Sequence, residues 1–305
     1  MRDTAESDTE PAAFDRCADS ATETFLAHRN LLFTVAYEML GSAADAEDVL
    51  QETWLRWADV DHDTVRDQRA YLVQITTRQA LTRLRTLRRR KESYLGPWLP
   101  EPLLTSPDVA DDVELADSVS MAMLLVLETL RPTERAVFVL REVFDLAYDE
   151  IAEAVDKTQA AVRQIAHRAR SHVAARRPHA IMSPAETRAV LTAFRQAIET
   201  GDPQRLLDII APDIVLLTDG GGVVQAALAP VIGAHTVADV LGRINAGMEL
   251  QPTQINGYPA LVLRLHGTID TIMAAHVADG LITGLYAVRN PEKLSRIDHE
   301  AALSR

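Results

Sequence analysis

The spacing of apolar side chains predicts a helical part of the chain followed by a mixed part. Apolar residues recur every three or four positions over Phe25–Leu40, Asp45–Trp57 and Gln68–Lys91, which is the period of an amphipathic helix. A second set of short amphipathic helices is predicted between residues 117 and 177. The pattern therefore predicts two all-α domains in the first three fifths of the chain.

The pattern changes in the last two fifths of the chain. Helices predicted over Pro184–Thr200 and Gln204–Ile210 are followed by strand-like runs such as Ile214–Thr218. Asp279-Gly280 lies between two apolar runs, and this dipeptide is a strong signal for a β-hairpin. We therefore predict a separate α+β domain after the helical part.

A proline-rich stretch separates the two helical domains. The sequence GPWLPEPLLTSP, residues 96–107, holds four prolines and one glycine. Proline ends a helix because it lacks an N–H group and fixes φ. The predicted segments are an acidic N-terminal arm (1–22), a first helical domain (23–94), a proline-rich linker (95–116), a second helical domain (117–177) and the α+β domain (184–305).

The net charge of −13 conceals two basic segments. Residues 66–91 hold nine basic residues and one acid, and residues 157–177 hold six basic residues and no acid. One such run alone is compatible with a solvated helix face. Two of them in an acidic protein indicate two surfaces that bind phosphate groups, so nucleic acid is the predicted partner.

Composition excludes several other classes of protein. Cys17 is the single cysteine, which excludes an internal disulfide and a zinc site with several cysteines. No apolar run approaches the roughly 18 residues of a membrane-spanning helix, and the N-terminus lacks the pattern of a signal peptide. We expect a cytoplasmic protein that does not bind a membrane, and we predict no metal and no cofactor.

Residues 147–175, AYDEIAEAVDKTQAAVRQIAHRARSHVAA, predict a helix-turn-helix. Thr158 suits the N-cap of the second helix, and Asp156 takes the turn position because aspartate tolerates a left-handed backbone. Arginine and glutamine on the exposed face of that helix suit contacts to base edges. The predicted DNA-contacting residues are Thr158, Gln159, Arg163, Gln164, His167, Arg168 and Arg170. A plain helical hairpin is the alternative.

These motifs resemble a known family. LLFTVAYEMLGSAADAEDVLQETWLRW and RAYLVQITTRQALTRLRTLRRRK resemble region 2 of the extracytoplasmic-function sigma factors of RNA polymerase. AVFVLREVFDLAYDEIAEAV with AAVRQIAHRAR resembles their region 4, in the right order along the chain. GPWLPEP, TDGGG and NPEKL resemble the group that carries a fused SnoaL-like domain. That resemblance implies a C-terminal cone, in which helices wrap a curved sheet.

The resemblance implies a role for each matched segment. It implies that the recognition helix reads the promoter −35 element. Contacts to the −10 element are implied for Tyr71, Gln74, Arg78, Arg83 and Arg85. Contacts to the clamp coiled coil of core RNA polymerase are implied for Asp45, Glu47, Asp48, Gln51, Glu52 and Leu55. Core packing is the alternative role of Tyr71, and ordinary solvation is the alternative for the acidic helix.

The resemblance further implies that the C-terminal domain regulates the sigma regions in cis, so no separate anti-sigma factor is expected. The predicted regulatory interface comprises Trp98, Pro100, Glu101, Asp219, Gly220, Gly221, Asn290, Pro291 and Lys293. We do not predict an enzyme, because no spacing forms a catalytic triad. Whether the C-terminal cavity binds a small molecule stays open. The alternative functions are a helix-turn-helix regulator that acts without polymerase and a DNA-binding module fused to a SnoaL-like enzyme.

Overall fold

A computed structural model describes residues 11–106, 109, 112–176, 182–243, 248–297 and 300–305, and the side chains of these residues except 11–20 and 90. The first ten residues of the predicted acidic arm and Arg177 of the second basic segment lie outside the described residues. In the part of the chain that the structure describes, no helix is long and apolar enough to cross a membrane.

The first helical domain contains three helices, as predicted. They are α1 (Pro11–Leu40), α2 (Ala43–Ala58) and α3 (Gln68–Glu92), with a short 3₁₀ turn at His62–Thr64. Gly41 ends α1 with a positive φ of 67°, and the hydroxyl of Ser42 then caps α2 by accepting from Asp45 N–H. The indole of Trp57 is fully buried and donates to the carbonyl of Ala21 at 2.9 Å. Because α1 begins at Pro11, residues 11–22 of the predicted arm are helical.

Among the residues that the structure describes, the second helical domain contains five helices and a π-helical turn. They are α4 (Val113–Val119), α5 (Met121–Glu128), α6 (Pro132–Phe138), the π turn (Val139–Val143), α7 (Tyr148–Val155) and α8 (Gln159–Ala174). Pro132 is the first residue of α6, where its missing N–H costs nothing. Both helical domains share one apolar core, which includes Leu72 of α3, Leu124 of α5 and Ile151 of α7. They are therefore packed together rather than separated by the linker.

In its described residues, the C-terminal domain combines four helices with an eight-stranded sheet. Its helices are α9 (Pro184–Thr200), α10 (Pro203–Ile209), α11 (Ala234–Leu241) and α12 (Pro291–Leu294). The strands are β1 (Leu104–Thr105), β2 (Ile210–Asp219), β3 (Val231–Ile232), β4 (Met248–Ile255), β5 (Tyr258–Leu265), β6 (Thr268–Ala278), β7 (Leu281–Val288) and β8 (Glu300–Ala301). Their order in the sheet is β3-β2-β7-β6-β5-β4-β1-β8. The predicted α+β class is confirmed.

Both faces of this sheet are covered. One face packs against α9 to α11, with Phe194, Met273 and Leu285 among the buried side chains. The opposite face packs against the linker residue Leu99 and against Met121 of α5. The C-terminal domain therefore contacts the linker and the second helical domain through the back of its sheet.

The linker supplies a strand to the C-terminal sheet. Leu104 of β1 lies opposite Ile255 of β4 in antiparallel pairing and opposite Glu300 of β8 in parallel pairing. Most linker side chains from Leu99 to Thr105 are buried. Residues 99–105 of the linker are therefore held against the neighbouring domains.

The tip of the β4–β5 hairpin reaches into the helical part. Asn256 and Gly257 form the two-residue turn with φ values of 55° and 75°, which suit a tight hairpin turn. A Cβ added to Gly257 would lie 2.7 Å from the Cβ of Ala116 in α4. The turn therefore needs a glycine both for its backbone and for its close contact with α4.

We expect Gly257→Ala to destabilise the protein more than Gly267→Ala. Both glycines have positive φ in hairpin turns, but Gly267 has no neighbouring atom within 4 Å of an added Cβ. Both substitutions add backbone strain of about 1–2 kcal/mol. Gly257→Ala adds to this an overpacking cost of about 1–3 kcal/mol against α4. Urea unfolding of both variants measures the difference, and equal free energies of unfolding would contradict the tight contact with α4.

Candidate nucleic-acid interface

Helices α7 and α8 form the predicted helix-turn-helix. Asp156 ends α7 in a left-handed conformation with φ of 53°, and the Thr158 hydroxyl caps α8 by accepting from Ala161 N–H at 3.3 Å. Val162 and Ile165 face the core. The seven predicted DNA-contacting residues, Thr158, Gln159, Arg163, Gln164, His167, Arg168 and Arg170, are all exposed. One face of α8 therefore fixes the helix in the domain, and the opposite face presents its polar side chains to solvent.

Two side chains of the exposed face of α8 contact neighbouring elements. The guanidinium of Arg163 lies 5.5 Å from the centre of the Tyr148 ring, and Arg170 lies 3.7 Å from the carboxylate of Glu142. Both contacts are to partly exposed groups, so they orient the arginines without removing them from solvent.

Three of the predicted −10 residues lie close to α7. The Arg78 guanidinium donates to the Glu153 carbonyl of α7 at 2.8 Å. Tyr71 and Gln74 line a cavity of about 340 Å³ between α3 and α7, which Glu150 and Glu153 close on the second domain's side. The second helical domain thus covers part of the surface that α3 would offer to DNA.

The remaining two −10 residues differ in their surroundings. Arg83 is held by two carboxylates of α2, Asp45 at 2.6 Å and Asp48 at 2.8 Å. Arg85 is exposed and lines a groove with Arg78 and Lys157. Arg83 therefore lies at the predicted polymerase-binding surface, where it pairs with two carboxylates of α2.

The predicted polymerase-binding helix α2 is partly exposed. Asp48, Gln51, Glu52 and Leu55 are exposed, with Leu55 at 64%. Asp45 is buried beneath Arg83, and Glu47 pairs with Arg29 of α1 at 2.8 Å. The solvent-exposed part of the acidic stripe is therefore this set, in which Asp48 also pairs with Arg83, while Asp45 and Glu47 join α2 to the neighbouring helices.

A buried charge network, here called the charged junction, joins the two helical domains. Glu128 of α5 pairs with Lys91 of α3 at 2.5 Å and with Arg135 of α6 at 2.7 Å. The Arg135 Nε donates to the carbonyl of Glu38 in α1 at 2.8 Å. Its side chain is only 2% exposed, so this arginine is desolvated and depends on its partners.

A second buried network, here called the linker junction, joins the linker to the C-terminal domain. The Lys293 ammonium contacts the carboxylate of Asp219 at 2.7 Å, the carbonyl of Leu99 at 2.5 Å, and the Trp98 ring, whose centre is 3.4 Å away. Asp219 also accepts from Leu99 N–H and from the Tyr94 hydroxyl. Burial lowers the pKa of Lys293 to about 8.

The glycines and Asn290 close the linker junction. A Cβ added to Gly220 would lie 2.3 Å from the Val224 carbonyl, and one added to Gly221 would lie 2.6 Å from the Asn290 side chain. Asn290 donates to the Tyr94 hydroxyl at 3.0 Å. Gly220 and Gly221 of the DGGG motif are therefore required by the close approach of neighbouring atoms.

The other predicted interface residues lie at different places. Glu101 is buried against α2, where it accepts from the Ser42 hydroxyl at 3.0 Å and from Ala44 N–H at 3.2 Å. Pro100 is buried close to Gly41, and Pro291 is the exposed first residue of α12. The predicted set thus divides between the linker junction and the contact of the linker with the first helical domain.

Asn256 forms a third junction, here called the hairpin junction. Its side-chain amide donates to the Tyr37 hydroxyl at 2.7 Å and to the Val119 carbonyl at 2.9 Å, and its Oδ1 accepts from Leu103 N–H at 3.0 Å. Tyr37 belongs to α1, Leu103 to the linker and Val119 to α4. One side chain 1% exposed therefore bonds to both helical domains and to the linker.

The acidic residues and histidines of the C-terminal domain do not converge on one site. Asp213, His235 and His266 are exposed, and Asp270 pairs with Arg289 at 2.9 Å. His276 lines a small cavity against α5, which Thr187 of α9 also lines, and burial lowers its pKa. Among the described residues, no group of three or more histidine, cysteine and acidic side chains is placed to hold a metal ion.

Comparison with known proteins decides the family. The profile for Sigma-70 region 2 matches residues 24–90, and that for Sigma-70, region 4 matches residues 120–173. The ECF RNA polymerase sigma factor SigJ of Mycobacterium tuberculosis is 34% identical over 89% of this chain and 92% of its own. This chain belongs to the ECF RNA polymerase sigma factors. The probable sigma factor SigI of the same species is 31% identical over 92% of this chain and 97% of its own.

The similarity extends to the whole fold of this sigma factor. The crystal structure of M. tuberculosis SigJ matches with a TM-score of 0.73 at 31% identity, over 90% of this chain and 98% of that chain. The predicted architecture of two helical sigma domains and a C-terminal SnoaL-like domain is confirmed. Regions 2 and 4 are the first and second helical domains described above.

The residues of two junctions could not be recognised in the sequence. No pattern indicated a role for Glu128, Arg135 or Asn256, and only their contacts in the folded protein reveal their importance. Asn256-Gly257 itself is a recognisable turn signal. The partners of Asn256 lie between 137 and 219 residues away in the chain, so no local pattern could have identified them.

We expect Asp219→Asn to lower the free energy of unfolding by about 3–5 kcal/mol at pH 7, because Lys293 is left buried without its counter-ion. The folded-state pKa of Lys293, about 8, lies below its ordinary 10.5, so the unfolded chain binds more protons between these values and stability rises with pH there. Asp219 raises the pKa of Lys293, so in Asp219→Asn this pKa falls further and the free energy of unfolding should also rise with pH below pH 8. Urea unfolding at pH 7, 8 and 9 measures it.

Asp270→Asn provides the matched control for Asp219→Asn. Asp270 pairs with Arg289 in a partly exposed site, so we expect a loss of about 1 kcal/mol or less. Equal losses in the two variants, or a loss in Asp219→Asn that does not diminish between pH 7 and pH 9, would contradict the described role of the buried pair.

Proposed function

We propose that this sigma factor acts in the cytoplasm, where it binds core RNA polymerase through α2 and recognises promoter DNA through α3 and α8. The observation that carries the proposal is the exposed polar face of α8, which the helix-turn-helix presents as a unit. Arginine reads guanine and glutamine reads adenine in the major groove. Arg163 and Gln164 are the residues that we assign to this reading of the −35 element.

The surface of α3 suits a single-stranded −10 element. Tyr71 lies at the mouth of a cavity and Arg78 and Arg85 border the adjacent groove. Aromatic and pocket contacts hold unstacked bases, and cations hold the backbone. Tyr71 also lies 6.1 Å from the Trp57 ring, so packing and base contact are compatible roles for it.

The exposed part of α2 suits the polymerase. Asp48 and Glu52 provide negative charge, and Leu55 provides an apolar contact at 64% exposure. Acidic side chains around an apolar residue complement a basic protein surface and favour correct orientation. A helix-turn-helix regulator that acts without polymerase has no use for such a surface, so binding to core polymerase distinguishes the two functions.

The described conformation is a closed one. Arg78 contacts Glu153, so the −10 and −35 surfaces lie side by side. The two promoter elements are about 25 base pairs apart, roughly 85 Å of B-DNA at 3.4 Å per base pair. Regions 2 and 4 must therefore separate before both bind one promoter.

We assign to the C-terminal domain the role of holding regions 2 and 4 closed. Support comes from the hairpin junction, where Asn256 bonds to both regions, and from the linker junction around Asp219 and Lys293. Because these restraints lie within the chain, a separate anti-sigma factor is not required. We assign no catalysis to this domain, since its helix-covered face is filled with apolar side chains such as Phe194 and Met273.

We expect Arg163→Ala to relax base preference at one −35 position by about 1–3 kcal/mol, because a bidentate contact is lost. Footprinting and competition with mutated promoters, using the holoenzyme, measure this. Arg176→Ala is the control: it should weaken binding to all sequences and reduce the salt slope by about one, the effect of one lost phosphate contact. An unchanged −35 preference in Arg163→Ala would contradict the assignment of this face of α8.

We expect Asn256→Ala to open the protein. The substitution leaves buried partner groups of α1, α4 and the linker without their hydrogen bonds, at about 1–3 kcal/mol each. The closed-to-open ratio should fall at least tenfold, as measured by energy transfer between dyes on regions 2 and 4. Transcription with purified core polymerase should rise in parallel.

Gln251→Ala is the control for Asn256→Ala, since Gln251 lies on the same hairpin but is exposed. It should leave both readouts unchanged. An Asn256→Ala protein that opens without any gain in transcription would show that the C-terminal domain does not restrain promoter binding.

A further inference from the structure

A carboxyl group lies buried where region 2 meets region 4. Glu38 of α1 is fully buried, and its Oε1 accepts from the Ser118 hydroxyl of α4 at 2.7 Å. Its Oε2 is also buried and has no hydrogen-bond partner among the described residues. Helix α4 leads into α5 through Ser120 alone, so Ser118 belongs with region 4.

The charges around Glu38 compensate it only in part, since the attraction of Arg135 lowers its pKa less than burial raises it. Arg135 of α6 donates to the Glu38 backbone carbonyl rather than to its carboxyl group, and its guanidinium pairs with Glu128. Asp117 of α4 adds negative charge, and the neighbouring Tyr37 is neutral because burial raises its pKa. A buried carboxylate with one hydrogen bond is unfavourable, and burial raises the pKa of Glu38 to about 8.

We propose that Glu38 carries a proton while regions 2 and 4 are in contact and releases it to water when they separate, so that opening of this sigma factor is linked to pH. The O–H bond of the carboxylic acid breaks, a hydrated proton leaves, and the carboxylate becomes solvated. This inference rests on the opening described under the proposed function, and it adds the signal to which that opening responds.

The sign of the linkage follows from the two protonation states. In the open protein Glu38 is exposed and regains the ordinary pKa of a glutamate, near 4.5. Between that value and about 8 the closed state binds one more proton than the open state, so each rise of one pH unit lowers the closed-to-open ratio about tenfold. Acid therefore favours the closed protein and alkali the open one.

Other buried groups near the boundary titrate in other ways. Burial lowers the pKa of Lys293 to about 8 and also lowers the pKa of Lys91. Both lysines lose their proton more readily in the closed state, so through them a rise in pH favours the closed state. For Lys293 this effect begins near pH 8. The pKa of Glu128 is lowered by Arg135 and Lys91 despite its burial. Burial raises the pKa of Glu101, but this group joins the linker to α2 and stays in place when region 4 leaves.

The test measures the distance between regions 2 and 4 in the free, full-length protein as a function of pH. Asp59→Cys and Ala175→Cys, in a Cys17→Ser background, place dyes at exposed positions on the two regions. Between pH 6 and 7.5 we expect the closed-to-open ratio to fall by up to about 30-fold in the otherwise native protein. Glu38→Gln, which mimics the protonated group, should flatten this dependence.

Two further variants keep the test decisive. Glu92→Gln removes a carboxylate at an exposed position and should leave the pH dependence intact. Ser118→Ala removes the hydrogen bond that favours the charged form of Glu38, so it should move the midpoint of the closed-to-open transition to higher pH. If Glu38→Gln fails to fold, this shift in Ser118→Ala tests the role of Glu38 instead. A pH-independent distance in the native protein, or an unchanged slope in Glu38→Gln, would overturn the inference. In either case opening by Asn256→Ala would still support the proposed restraint.

Discussion

Much of this structure depends on the pairing of strand β1 with strand β4. The linker between regions 2 and 4 is the only covalent connection between them, and β1 makes part of it a strand of the C-terminal sheet. A connection with its backbone bonded on both sides has little freedom to lengthen or turn. The C-terminal sheet therefore holds part of the connection between the two sigma regions in a fixed conformation.

The three junctions are polar contacts buried between the domains. The linker junction and the hairpin junction contain buried polar groups that bond to one another, and the charged junction contains buried ions. Such groups gain little over an apolar core of similar shape, yet separating them leaves desolvated charges and unpaired donors. They favour one arrangement of regions 2 and 4 and allow few intermediate ones.

Sequence patterns predicted the elements but not how the domains pack. The period of apolar residues in α2 and α3, the cap at Thr158 and the turn at Asp156 are local features, and all of them are found in the structure. The role of Arg83 could not be predicted, because the carboxylates of Asp45 and Asp48 that hold it lie on another helix. Basic residues of an amphipathic helix look alike in sequence whether they bind DNA or a neighbouring helix.

The parallel pairing of β1 with β8 has a consequence for synthesis of the chain. Leu104 pairs with Glu300, so the strand that holds the linker is completed by residues made about 200 positions later. Region 4 ends near residue 173, so at roughly 5–20 residues per second both sigma regions are made some 6–25 seconds before the strand that completes the sheet. Each new molecule therefore passes through an interval in which both sigma regions have been made but the strand that closes the sheet beside the linker has not.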